Sequence, residues 1–181
     1  MDTFLAAVDR NEIWRDFFYT ELTTGLRRGE IQTISTDHCS FTLAQKDAGR
    51  EDFTKIPGGL PGVETRGELI YSYGVAAKKL SLAQMCRVLS ENPAKLYGLY
   101  PRKGVLAPGS DADIVIYDPG DSHVIRAEDC VANVDYNPYE GFVTAGGIRE
   151  VWLRGRKTVE NGKVLDTVPA GMYLARGKCD L

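Results

Sequence analysis

Apolar residues recur at helical spacing in two parts of the sequence. Between residues 11 and 28 they are three to five positions apart, with Asn11 placed to cap a helix and Gly29 placed to end it. A second pattern begins at Ser81-Leu82-Ala83-Gln84, where the serine and the glutamine form a capping box. Asn92-Pro93 predicts a further short helix that ends at Gly98. The apolar positions of the two patterns are Ile13, Trp14, Phe17, Phe18, Leu22 and Leu26, and then Leu82, Met85, Cys86 and Leu89.

Short β-branched runs next to glycine predict strands. We expect a buried strand at residues 31–35 and another strand at residues 114–117. A tight turn at Arg154-Gly155 should follow strand residues 150–153, and a second tight turn at Asn161-Gly162 should precede residues 163–165. Residues 36–62 read as one long irregular stretch, the kind of loop that often carries function. The first hundred residues are therefore typical of an α/β fold, and the remainder is mostly β.

Charge and composition exclude several classes of function. The 181 residues carry a net charge of −3, which leaves no basic surplus for binding a nucleic acid. No apolar run approaches the length of a membrane span, and an acid stands where a signal peptide needs a cationic start, so we expect a cytoplasmic protein. The four cysteines are more than forty residues apart and are expected to be free thiols, and two histidines cannot build a histidine-rich metal site.

Two positions in the stretch 36–62 are candidates for chemistry. Asp37 follows the predicted strand, where a carboxylate can bind a divalent cation or move a proton, or can simply close an Asx-turn. His38 beside it is interpreted as a hydrogen-bonded histidine rather than a metal ligand. Gly58 and Gly59 would let a ligand reach main-chain N–H and C=O groups, unless this segment is only a surface loop.

Several motifs in the same order resemble the dihydropyrimidinase/hydantoinase branch of the amidohydrolase superfamily. They extend from about residue 11 to about residue 165 and comprise Asp37-His38-Cys39-Ser40-Phe41-Thr42, residues 53–66 with Lys55-Ile56-Pro57-Gly58-Gly59, Asn92-Pro93-Ala94-Lys95-Leu96, Gly109-Ser110-Asp111-Ala112-Asp113, and Asn137-Pro138-Tyr139-Glu140-Gly141.

The resemblance implies an α/β fold, the C-terminal portion of a TIM-like (β/α) barrel followed by part of the C-terminal β-sandwich lobe. Residues 1–100 would belong to the barrel, and residues 101–181 to the sandwich segment and tail. The implied activity is metal-dependent hydrolysis of a small cyclic amide or ureide, usually with two zinc ions. Asp37 would be both a metal ligand and the catalytic proton carrier, and Gly58, where many members carry asparagine, would bind the substrate through its main chain.

The chain departs from the family pattern in its metal ligands. The family's other metal ligands are a His-x-His pair, a carboxylated lysine and two further histidines, and this chain has only His38 and His123. We therefore expect the C-terminal third of a longer hydrolase, inactive alone, that is a homo-oligomer or lacks an N-terminal segment. The alternative is a non-catalytic scaffold subunit related to the family.

Overall fold

A four-stranded antiparallel sheet forms the second half of the molecule in the computed structural model, which describes residues 31–167 and 169–179. The strands follow one another in chain order and are β1 (Ile114–Asp118), β2 (Gly147–Leu153), β3 (Arg156–Glu160) and β4 (Lys163–Val164). The helix predicted at residues 11–28 lies outside the described residues.

Both tight turns of this sheet have the backbone that their sequences predict. Arg154 and Gly155 have φ values of 51° and 77°, and Asn161 and Gly162 have 49° and 74°. Two successive positive φ values are the geometry of a type I′ turn, whose twist matches that of the flanking strands. The predicted strands at 114–117 and 150–153 and the two hairpins are confirmed.

Helices occupy the first half of the described chain. They are α1 (Leu43–Asp47), α2 (Arg66–Ile70), which continues as a π-helical turn over Tyr71–Ala76, and α3 (Leu82–Cys86), which continues through a π-helical turn over Arg87–Glu91 into α4 (Asn92–Leu96). Single 3₁₀ turns lie at Phe53–Lys55 and Ala127–Asp129. None of the helices in the described ranges is long and apolar enough to cross a membrane.

The capping box predicted at the start of α3 is present. The amide of Gln84 donates to Ser81 Oγ at 3.2 Å, and the amide of Ser81 donates to Gln84 Oε1 at 2.8 Å. Of the predicted apolar stripe, Met85 is buried, whereas the Leu82 side chain remains 59% exposed. Gly98 ends α4 with a φ of 65°, as expected for a helix C-terminus.

The strand expected at residues 31–35 is not formed, and this prediction was wrong. In the described residues this segment has no strand beside it; the Ile34 amide donates to the Val88 carbonyl at 3.2 Å, and an isolated bridge joins His38 to Leu60. A strand needs a partner with which to share its ladder of hydrogen bonds, so a β-branched sequence without a neighbouring strand does not form one.

The stretch 36–62 is also less irregular than expected, because it contains α1. The hydroxyl of Thr42 accepts from the amide of Gln45, and the Gln45 side chain accepts from the amide of Thr42, which is a capping box. Thr42-Leu43-Ala44-Gln45 repeats the pattern of Ser81-Leu82-Ala83-Gln84. The signal for this helix was therefore present in the sequence.

Two sets of polar contacts join the helical half to the sheet. Glu68 of α2 accepts from the Ile148 amide at 3.2 Å, and Ser72 accepts from the Ala145 amide at 2.8 Å. Asp113 accepts from the Arg154 amide at 2.8 Å and pairs with the Lys103 ammonium. These bonds join α2 and the π-helical turn after it to β2 and the residue Ala145 before it, and they join Asp113 to the turn after β2. The segment that carries Asp113 therefore has a structural role.

Candidate functional site

Asp37 lies immediately before the bridge between His38 and Leu60. Its φ of 46° is in the left-handed region, which aspartate and asparagine tolerate better than other L-residues. The side chain is exposed. Among the described residues nothing donates to its carboxylate, so the Asx-turn weighed from the sequence is not formed and the carboxylate remains available.

His38 fastens the glycine loop, defined here as residues 57–63. Its Nδ1 accepts from the amides of Gly62 at 3.1 Å and Val63 at 3.3 Å, and its Nε2 lies 2.8 Å from Ser40 Oγ. Because Nδ1 is an acceptor, the ring proton is on Nε2 and is donated to Ser40. The predicted hydrogen-bonded histidine is confirmed, and metal binding through either ring nitrogen would break these contacts.

Lys46, on α1, binds the N-terminal end of the same glycine loop. Its ammonium donates to the carbonyls of Pro57 at 2.5 Å and Gly59 at 2.6 Å. The Cys39 amide also donates to the Leu60 carbonyl at 3.2 Å. The glycine loop is therefore attached to residues 38–46 at several points, and the structure brings the segment of Gly58 beside the segment of Asp37.

The two adjacent glycines differ in their surroundings. A Cβ atom on Gly58 would meet nothing within 4 Å, whereas one on Gly59 would lie 2.6 Å from Cys39 Cβ, and Gly59 has a φ of 125°. Gly58 thus presents its main chain to solvent, and Gly59 is the position that requires glycine.

We expect these two glycines to respond differently to alanine. Gly59→Ala should lower the free energy of unfolding by about 1–3 kcal/mol, since it adds both a disfavoured backbone conformation and a clash with Cys39. Gly58→Ala, its matched control, should stay within about 1 kcal/mol of wild type. Urea unfolding followed by circular dichroism measures both, and equal midpoints for the two variants would contradict the prediction.

A third segment, residues 126–140, packs against this region through carboxylates. Glu64 accepts from the amides of Val131 at 2.8 Å and Ala132 at 3.0 Å, and Asp135 accepts from the Leu43 amide at 2.8 Å at the start of α1. The last contact fixes the helix that carries Lys46. Beside it lies an open cleft of about 590 Å³ whose polar lining includes Arg126, Glu128, Asp135, Tyr136, Asn137 and Glu140.

The expected free thiols are confirmed, because Cys39, Cys86, Cys130 and Cys179 form no disulfide. Burial raises the pKa of the Cys130 thiol, although a hydrogen bond from Asn137 acts in the opposite direction. A thiol with a raised pKa is a weak nucleophile at neutral pH, so the surroundings of Cys130 do not favour nucleophilic chemistry there.

The side chains of the described residues do not fit a metal centre of their own. No group of three or more histidine, cysteine, aspartate or glutamate side chains able to hold a metal ion occurs in the described ranges. His123 is engaged as well, with Nε2 3.3 Å from Glu68 Oε2 and Nδ1 3.2 Å from Thr144 Oγ1. Asp37 is a single carboxylate, and side chains that could complete a metal site around it are missing from the described part of the chain.

The purified chain is therefore expected not to retain zinc. One carboxylate without neighbouring imidazoles cannot hold this ion against water and buffer. Elemental analysis after dialysis should find far less than one zinc per chain, and stoichiometric zinc would contradict the prediction.

Comparisons with known proteins show what this chain is similar to. The model of the amidohydrolase family matches residues 19–164. A D-hydantoinase of Streptomyces coelicolor is 42% identical over 159 residues, and a D-phenylhydantoinase of Escherichia coli O1:K1 is 41% identical over 157 residues; these matches cover 87% and 86% of this chain and 34% of each relative. The crystal structure of a dihydropyrimidinase from Brevibacillus agri superposes with a TM-score of 0.76 at 41% identity, covering 86% of this chain and 33% of the other.

The chain belongs to the amidohydrolase family. Its structural neighbours are hydantoinases and dihydropyrimidinases, so the α/β assignment and the recognition of this branch are confirmed. The chain spans about a third of the length of the curated relatives it matches. Metal dependence is a general feature of the family.

Sequence reasoning did not identify Lys46 as part of this region. The capping box at Thr42 would have indicated the helix, but only the folded chain shows that the ammonium reaches carbonyls 11 and 13 residues further on. The roles of Asp37 and Gly58 in chemistry stay predictions.

Proposed function

We propose that this chain provides the C-terminal part of a metal-dependent cyclic amidohydrolase that opens a hydantoin- or dihydrouracil-like ring. The observation that carries the proposal is the 41% identity with a D-phenylhydantoinase over 157 residues, which are 86% of this chain. Beside it stands the Asp37 carboxylate, which has no partner among the described residues and lies next to an accessible glycine loop. In this proposal residues 1–100 are the end of the barrel and residues 101–181 the sandwich segment and tail. The placement of the described helices before residue 100 and of the sheet after it supports this division.

Asp37 is proposed to be the residue that moves the proton and one of the metal ligands. Its exposed carboxylate has no protein partner among the described residues, so it can accept a proton without breaking a hydrogen bond. Gly58 is proposed to bind the substrate. A cyclic amide carries an N–H and a C=O side by side, and the free main-chain groups of Gly58 are their complement.

Two zinc ions are the proposed cofactor, and they would polarise the amide and lower the pKa of a water. Since the described side chains do not form this centre, the remaining ligands must come from outside them. The proposed partner that would supply these ligands is an N-terminal segment of the same kind of hydrolase. The other proposed partners are further copies in a homo-oligomer, and the proposed substrate is a small molecule in the cytoplasm.

Reconstitution tests the proposal. The chain is co-expressed with the N-terminal two thirds of the Streptomyces coelicolor D-hydantoinase, and hydrolysis of hydantoin and dihydrouracil is measured. We expect no turnover by either piece alone and turnover by the pair. A stable complex without turnover would instead favour the scaffold subunit.

A further inference from the structure

We infer that Lys46 is a positioning residue, one that fixes the Gly58 main chain as the donor–acceptor pair for a cyclic amide. The inference deepens the proposed function and rests on it for the identity of the ligand. Nothing in the sequence pattern assigns Lys46 a role.

The two hydrogen bonds that Lys46 donates lie on either side of Gly58. Its ammonium donates to the carbonyl before Gly58, that of Pro57, and to the carbonyl after it, that of Gly59. The N–H and C=O of Gly58 itself have no partner within the described ranges. One cation therefore occupies the acceptors on either side of Gly58 and leaves the Gly58 groups free.

Because the peptide bond is planar, these contacts fix the direction in which the Gly58 N–H points. In a trans peptide the C=O and the following N–H point in opposite directions. The Pro57 carbonyl points at Lys46, so the Gly58 N–H points away from it. Without the ammonium this peptide could rotate, because a Cβ at Gly58 would meet no atom within 4 Å and glycine has wide backbone freedom.

The charge has a second effect on the same peptide. A cation bonded to an amide oxygen polarises the amide and makes its N–H a stronger donor. The Gly58 N–H shares its peptide group with the Pro57 carbonyl, so Lys46 strengthens the bond that this N–H gives to a substrate oxygen.

The lysine is itself held in place by neighbouring residues. It belongs to the last turn of α1, whose first amide is bonded to Asp135, and its ammonium lies 5.3 Å from the centre of the Phe41 ring. A long flexible side chain is thereby held ready for the two carbonyls, which lowers the entropy cost of ordering the loop.

Hydrogen exchange on the full chain tests the inference, with hydantoin as the probe. Mass spectrometry follows the amides of residues 57–63 with and without hydantoin near its solubility limit. In wild type we expect hydantoin to slow exchange at residues 58–60. Lys46→Met, which keeps length and removes charge, should weaken this binding about tenfold, whereas Lys46→Arg should keep most of it.

Lys55→Met is the matched control. Lys55 is in the neighbouring 3₁₀ turn, its side chain is 72% exposed, and its ammonium pairs with Asp52 at 3.4 Å rather than with the loop carbonyls. The Lys55→Met variant should bind hydantoin as the wild type does. Unchanged exchange in the β2–β3 hairpin of every variant shows that the fold is intact.

The outcomes separate the inference from the proposed function. Hydantoin-dependent protection that is lost in Lys46→Met and kept in Lys46→Arg supports the inference. Its absence in wild type, or equal protection in wild type and Lys46→Met, overturns it. In the reconstituted pair, Lys46→Met should raise KM about tenfold with a much smaller effect on kcat, whereas a pair that fails to turn over in wild type overturns only the proposed function.

Discussion

Asp37→Asn is expected to lower hydrolysis by the reconstituted pair by roughly 10²–10⁴-fold, the range for losing a general acid–base group. Asparagine has the shape of aspartate but neither its charge nor its ability to take up a proton near neutral pH. The backbone should not change, because asparagine tolerates the left-handed conformation at this position, where φ is 46°. Initial rates on hydantoin and dihydrouracil measure the loss.

Asp47→Asn is the control for this experiment. Asp47 ends α1, its side chain is 60% exposed, and it pairs with Arg50 at 3.2 Å. An exposed pair of this kind contributes little, so this variant should hydrolyse near the wild-type rate. Wild-type turnover by Asp37→Asn would show that Asp37 has only a conformational role, as a residue that tolerates the left-handed backbone at this position.

The chain expressed alone is expected to self-associate. In the described ranges the buried apolar side chains are Met85, Ala94, Ile125 and Pro61, while Phe53 is 81% exposed, and Leu82 and Val115 are more than half exposed. Residues 31–37 also lack a strand ladder. Exposed apolar patches and unpaired backbone groups both favour association, and sedimentation velocity should show assemblies larger than 20.0 kDa.

Leu82→Glu should reduce this association. It removes an exposed apolar side chain at the first position of α3, where a negative charge is favourable. Ala83→Glu adds the same charge one residue later and leaves Leu82 in place, so it should reduce association less. A monodisperse wild-type monomer with cooperative unfolding would contradict the prediction.

The site residues that could be predicted from the sequence are those whose residue type and local position alone indicate a role. Asp37 was singled out because a carboxylate follows the strand predicted at residues 31–35, which is not formed, and Gly58 and Gly59 because glycines let a ligand reach the main chain. The resemblance to the family then implied the roles of Asp37 and Gly58. Lys46 could not be found in this way, since a lysine on a short helix is ordinarily a solvated side chain. Its contacts arise only when residues 57–59 fold back against α1.

The sequence by itself determined the hairpins at Arg154-Gly155 and Asn161-Gly162, the capping box at Ser81 and the family. These features depend on interactions over a few residues, or on motifs that need no folded neighbour. The tertiary structure alone decided that residues 31–35 remain outside a ladder and that His38 and Lys46 fasten the glycine loop. Strand ladders and side-chain contacts across a loop form only when segments distant in sequence meet, and the local pattern does not specify which segments those are.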